Sequence, residues 1–110
     1  MKLKETEHEI MNAIINILWI KGFYPMRLNS GKIPMESKYG KRLIQLLPAG
    51  TPDIMAFKPY ADHVKLIFVE VKAGNNEATW IQQQKMIELT RFGAKCIVAH
   101  SVDELLSQLT

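Results

Sequence analysis

One stretch of seven residues, Leu66-Ile67-Phe68-Val69-Glu70-Val71-Lys72, constrains this chain more than any other. Together with Lys65 it reads as a strand: a short apolar run rich in β-branched and aromatic residues. Side chains alternate along a strand, so Leu66, Phe68, Glu70 and Lys72 share one face and Ile67, Val69 and Val71 the other. A carboxylate and an ammonium two residues apart in a central strand are costly unless they are paired or bind something. Taken alone, the pair is also explained by an ion pair at a strand end near solvent.

Around this strand the other elements can be placed. Residues 6 to 21 read as a helix, with Thr6 as N-cap, Glu9 three residues later closing a capping box, and Lys21-Gly22 as the stop. The helix is apolar nearly all round, with Asn12 and Asn16 its only polar stripe. Phe23 to Asn29 is a candidate strand, 29 to 41 a loop or hairpin tip, and Arg42 to Leu47 a second strand. After a turn at Pro48 to Pro52, Asp53 to Phe57 is a third strand, and Lys58 to His63 a further turn. Beyond Lys72, Ala73 to Asn76 breaks the strand. A helix from Glu77 to Phe92 with an Asn as N-cap, a strand Lys95 to His100 and a helix opened by the capping box Ser101 to Glu104 complete the chain. The order is α, three or four strands, α, β, α. The unit from 65 to 100 is expected to be a right-handed parallel crossover, in a mixed sheet with helices on both faces.

At 110 residues the chain is expected to form one domain, 1–110, with a hydrophobic core of its own. The lone Cys96 lies in an apolar run, is expected to be a buried strand thiol, and fits a reducing cytosol. No signal peptide or membrane span is legible, so a cytoplasmic protein is expected. The net charge of +3 and pI of about 9.1 fit both a polyanionic partner and an ordinary lysine-rich surface. Most of the excess lies in Arg27, Lys32, Lys38, Lys41 and Arg42, set against Glu36 alone. These five are the candidate nucleic-acid contacts.

Upstream of the Glu-Val-Lys strand stands Gly50-Thr51-Pro52-Asp53. Pro-Asp is a common turn dipeptide, because Asp bonds its own backbone. If the strand opened by Asp53 pairs antiparallel with the strand of Glu70, however, Asp53 lies close to Glu70 and Lys72. Two carboxylates hold a hard divalent cation through oxygen, and a neighbouring lysine orients a water and stabilises charge on a phosphate. That combination suits phosphodiester hydrolysis. The histidines His8, His63 and His100 have no metal-ligand spacing with each other or with Cys96, and no Gly-rich phosphate loop is present.

Pro52-Asp53 followed by Glu70-Val71-Lys72 resembles the motif of the PD-(D/E)xK nuclease superfamily. The resemblance sharpens to its VRR-NUC family, in the short stand-alone form typical of phages and bacteria. It is carried by Glu7 to Ile14, Arg27 to Gly31, Gly50 to Asp53, Phe68 to Lys72 and the Gln82 helix ending at Gly93. It implies an α/β, restriction-endonuclease-like fold with a mixed central sheet flanked by helices, in the order α-β-β-β-α-β. Asp53 and Glu70 would be ligands of Mg²⁺ or Mn²⁺, with the carbonyl of Val71 a further ligand and Lys72 positioning the attacking water. Glu7 would join the metal site from the first helix, since Glu9 already has a capping role; a simple helix-dipole partner is the other reading of Glu7. Gln82 would be the helix glutamine at the site, preferred over Gln83 and Gln84 by its offset from Gly93.

The activity so implied is metal-dependent endonuclease cleavage of DNA, with branched DNA such as a Holliday junction as substrate and no small-molecule cofactor. An idle DNA-binding or assembly subunit on the same fold, and a restriction-type enzyme, are the alternatives. A homodimer is expected as well, because a second apolar face of the first helix, Met11, Ile15, Leu18 and Trp19, would need a partner. The competing cover for that face is the loop at 30 to 41 or the C-terminal helix with Leu105, Leu106 and Leu109.

Overall fold

A computed structural model describes residues 5–28, 32–45 and 47–109. Three helices and six strands follow in the order α1 (Glu7–Ile20), β1 (Tyr24–Arg27), β2 (Lys32–Ser37), β3 (Gly40–Gln45), β4 (Ile54–Tyr60), β5 (His63–Val71), α2 (Trp80–Arg91), β6 (Lys95–Ala99) and α3 (Val102–Gln108). Strands β1, β4, β5 and β6 form one mixed sheet in the order β1-β4-β5-β6, and β2 and β3 form a separate antiparallel hairpin. The mixed sheet is as expected: β4 runs antiparallel to β1 and β5, and β5 parallel to β6 across the α2 crossover.

The capping box of α1 forms: the Thr6 hydroxyl accepts from the Glu9 N–H at 3.1 Å, and the Glu9 carboxylate accepts from the Thr6 N–H at 3.3 Å. Its apolar residues Ile10, Met11, Ile14 and Leu18 are buried. They meet Ile54 and Ala56 of β4, Ile67, Val69 and Val71 of β5, Ile97 and Ala99 of β6 and Leu105 of α3 in one cluster. Phe68 and Glu70 point to the other face, where α2 lies: Gln82 donates to Glu70, and the Cys96 thiol of β6 donates to the Met86 carbonyl. Helices therefore cover both faces. Cys96 is part-buried, and burial raises its pKa, as befits a structural thiol. Among the described residues no helix is long and apolar enough to cross a membrane.

Several expectations are corrected. Five strands, not three or four, precede α2. The segment 29 to 41, expected to be a loop or hairpin tip, holds most of a longer β2–β3 hairpin (29–31 lie outside the described residues), whose pairing runs from Lys32↔Gln45 to Ser37↔Gly40. The turn assigned to Lys58 to His63 shrinks to Ala61-Asp62, with Tyr60 paired to His63, so His63 opens a strand. Helix α2 starts later, capped by Thr79 rather than an Asn. At α3 only half of the box forms: Ser101 accepts from the Glu104 N–H, while the Glu104 carboxylate pairs with His100 at 2.8 Å.

The face of α1 assigned to a second copy is largely covered within the chain. Met11 and Leu18 are buried, Ile15 is half-buried against the core, and α1 packs on α3; Trp19 alone of the four is exposed. The argument for a homodimer through α1 lapses. If α3 is the cover, Leu105→Ala should cost about 2–5 kcal/mol, as a core truncation does. Urea denaturation measures this, and a loss below 1 kcal/mol would show that α3 contributes little.

Candidate active site

The site is assembled where β4 begins and β5 ends. Ile54 pairs with Val69, so one step further Asp53 stands opposite Glu70. Asp53 is fixed on two sides: its carbonyl accepts from the Leu28 N–H at 2.7 Å, and its carboxylate Oδ2 accepts from the Val71 N–H at 2.8 Å. Lys72 is held by a bond from its N–H to the Ala99 carbonyl of β6 at 3.0 Å.

Glu70 is the one polar or charged residue buried among the described residues, 2 % exposed. Its Oε1 accepts from Gln82 Nε2 at 3.1 Å and lies 3.8 Å from Lys72 Nζ, the loose end of ion-pair range. Its Oε2 is buried with no hydrogen-bond partner. Burial and the neighbouring Asp53 carboxylate together raise the Glu70 pKa to about 8, with a smaller push from Glu7 and against the pull of Lys72. The centre is thus short of positive charge. Without a further cation, Glu70 favours its protonated form at neutral pH.

Gln82 has two jobs. It is the third residue of α2, and the box is reciprocal: Thr79 N–H donates to Gln82 Oε1 at 2.8 Å, and Gln82 N–H donates to the Thr79 hydroxyl at 3.2 Å. This leaves Nε2 to reach Glu70. Gln83 instead donates to the Ala78 carbonyl, and Gln84 is exposed. The choice of Gln82 is therefore the one the geometry favours. The pattern Thr79-Trp80-Ile81-Gln82 is the capping-box signal in the sequence that marks this helix start.

Gly50, which opens the Gly50-Thr51-Pro52-Asp53 motif, is a second contributor. Its φ is +84°, and an added Cβ would lie 2.6 Å from the Ile81 carbonyl oxygen. The turn before Asp53 thus presses against the first turn of α2, which brings Gln82 over the site.

Asp53, Glu70, Lys72 and Gln82 are brought together. Glu7, at the start of α1, is near enough for its charge to be felt at Glu70. Among the described residues no three His, Cys, Asp or Glu side chains form a ready metal-ligand group, so the carboxylates at hand are two. The Val71 N–H is committed to Asp53. Of the expected DNA contacts, Lys38, Lys41 and Arg42 lie exposed on the hairpin and Arg27 ends β1, exposed; the side chain of Lys32 falls outside the described residues.

Comparison with models of protein families, with curated protein sequences and with solved structures finds no match to this chain.

Proposed function

We infer that this protein is a divalent-cation-dependent DNA endonuclease with a restriction-endonuclease-like fold, acting on branched DNA. The observation that carries the reading is Glu70: a buried carboxylate beside Asp53, with one oxygen unpartnered and a raised pKa. Buried carboxylates are rarely left so, and a cation resolves both features at once. The donor set suits a hard ion: carboxylate oxygens of Asp53 and Glu70, with the Val71 carbonyl next in the chain and Glu7 nearby. Mg²⁺ or Mn²⁺, held there, would neutralise charge building on a phosphate during displacement.

The chain's own residues do the rest. Gln82 and Lys72 both address Glu70 Oε1, leaving Oε2 for a ligand. The Val71 N–H does the same for Asp53, occupying Oδ2 and leaving Oδ1. Lys72, mostly buried, places an ammonium at the edge of this carboxylate pair. There it orients a water toward phosphorus and stabilises the anionic oxygens of the transition state. Symmetrical cutting of a junction needs two such sites, and hence two copies meeting elsewhere than at α1.

Cleavage of synthetic branched DNA is expected with Mg²⁺ or Mn²⁺ and not with excess chelator. Full activity in chelator would remove the cation from the mechanism. Binding without cleavage under every divalent ion would instead mark the chain as an idle DNA-binding subunit.

A further inference from the structure

The β2–β3 hairpin stands apart. It makes no substantial contact with any other helix or strand among the described residues. The Cα radius of gyration is 15.7 Å, against about 13 Å for a compact chain of this length. A lone two-stranded ribbon is marginal in water, so one that projects would gain stability from a partner.

Its charge indicates what. Residues 32–45 contain four of the chain's fourteen lysines and arginines and one of its eleven acids, so the hairpin carries +3 and the rest of the chain is neutral. The acid, Glu36, is paired with Lys41 at 3.3 Å, with both side chains exposed. Met35 and Leu43 are also exposed and would suit a protein surface. Two copies meeting hairpin to hairpin, however, would set like charges against each other, whereas a phosphate backbone complements them.

The tip is built differently from the stem. Ser37 and Gly40 pair, leaving Lys38-Tyr39 as a two-residue turn. The turn is pinned: Tyr39 N–H donates to Ser37 Oγ at 3.2 Å, and that hydroxyl donates to the Gly40 carbonyl at 3.3 Å. Tyr39 is 87 % exposed, and its one ring partner among the described residues is the Lys38 ammonium, 5.1 Å from the centroid. An exposed aromatic on a hydrogen-bonded turn at the end of a basic ribbon has the make-up of a base-stacking element.

We propose that the hairpin is a DNA-gripping arm whose tip residue, Tyr39, stacks on an unpaired base, with Lys38, Lys41 and Arg42 on the flanking phosphates. This rests on the nuclease reading for its substrate and adds to it a means of telling distorted from regular duplex. Stacking requires a base out of its helix, which a branch point, bulge or frayed end supplies and a continuous duplex does not.

The probes are a short duplex with a bulge containing 2-aminopurine and the same duplex without it, bound in chelator. The wild-type protein should prefer the bulged duplex and quench its fluorescence. Tyr39→Ala should cut the ratio of the two affinities about tenfold and abolish the quench, and Tyr39→Phe should restore both. Lys38→Gln with Lys41→Gln should weaken both duplexes alike and lower the salt slope by about two units. A Tyr39→Ala protein with undiminished preference and quench overturns the stacking role, even if cleavage with Mg²⁺ stands. Preference and quench without cleavage under any divalent ion would leave the arm intact and fail the nuclease reading instead. A wild-type dimer in sedimentation that Leu43→Glu dissociates, with DNA affinity unaltered, overturns the arm in favour of self-association.

Discussion

DNA cleavage is expected to fall to background in both Asp53→Asn and Glu70→Gln, and by about 10²–10³-fold in Lys72→Ala. The choice of asparagine matters. Asp53→Ala would strip the Val71 N–H of its acceptor, which costs about 1–3 kcal/mol in itself and would blur loss of ligation with loss of structure. Asparagine keeps an oxygen for that N–H and removes the charge. Lys72→Ala leaves both carboxylates, so its thermal stabilisation by Mn²⁺ should persist while the rate is lost. Gel assays of cleavage, paired with melting curves with and without Mn²⁺, check each variant. Lys72→Ala cleaving at the wild-type rate would end its proposed role.

Glu70→Gln should also be more stable than the wild-type protein at alkaline pH, by a few kcal/mol. Glu70 has a pKa of about 8 in the folded chain and an ordinary value of 4.5 when unfolded. Between those values the folded state binds a proton that the unfolded state does not. Stability therefore falls as pH rises from about 4.5 to about 8 and levels off above. Glutamine cannot ionise, and it occupies nearly the same volume. The two proteins should melt alike near pH 5 and diverge by roughly 10 °C at pH 8.5 in chelator. Added Mn²⁺ should close that gap in the wild-type protein, and do so more strongly as pH rises, because only the ionised carboxylate binds a cation. Parallel melting curves across that pH range would instead show that Glu70 ionises normally. His100, raised by its bond to Glu104, contributes in the same direction but is common to both proteins and cancels.

Much of this site was legible because it depends on strand geometry. The alternation along Leu66 to Lys72 assigns Glu70 and Lys72 to one face, and an antiparallel turn brings Asp53 opposite. The capping box of α1 was equally plain, since Thr6 and Glu9 are local partners. The hairpin was legible only in part, as a possible tip before the strand at Arg42. Pro34 argues against a strand, the turn Lys38-Tyr39 lacks the usual Asn-Gly signal, and the apolar residues Met35 and Leu43 cover no core. The covering of α1 is hard to read in the sequence, because the seven residues of α3 give little sign of how much apolar surface they hide. The start of α2 was misjudged because Asn75 and Asn76 look like caps, whereas Thr79 has the partner three residues on that a box requires. Depth was the other unreadable quantity: nothing local distinguishes a carboxylate at a strand's wet end from one 2 % exposed.

Helix α2 has no fully buried residue. Its hold on the rest of the chain is accordingly modest, and the first turn leans on Gln82, which closes the cap with one end of its amide and touches Glu70 with the other. The opening of that helix and the charge state of the carboxylate beneath it are thus two ends of one lever. Amide exchange in the first turn of α2 becomes a reporter of what occupies the sheet below: slow when Glu70 offers Gln82 a firm acceptor, faster when it does not. Through this one side chain, chemistry at the sheet is coupled to the opening turn of a helix that faces solvent.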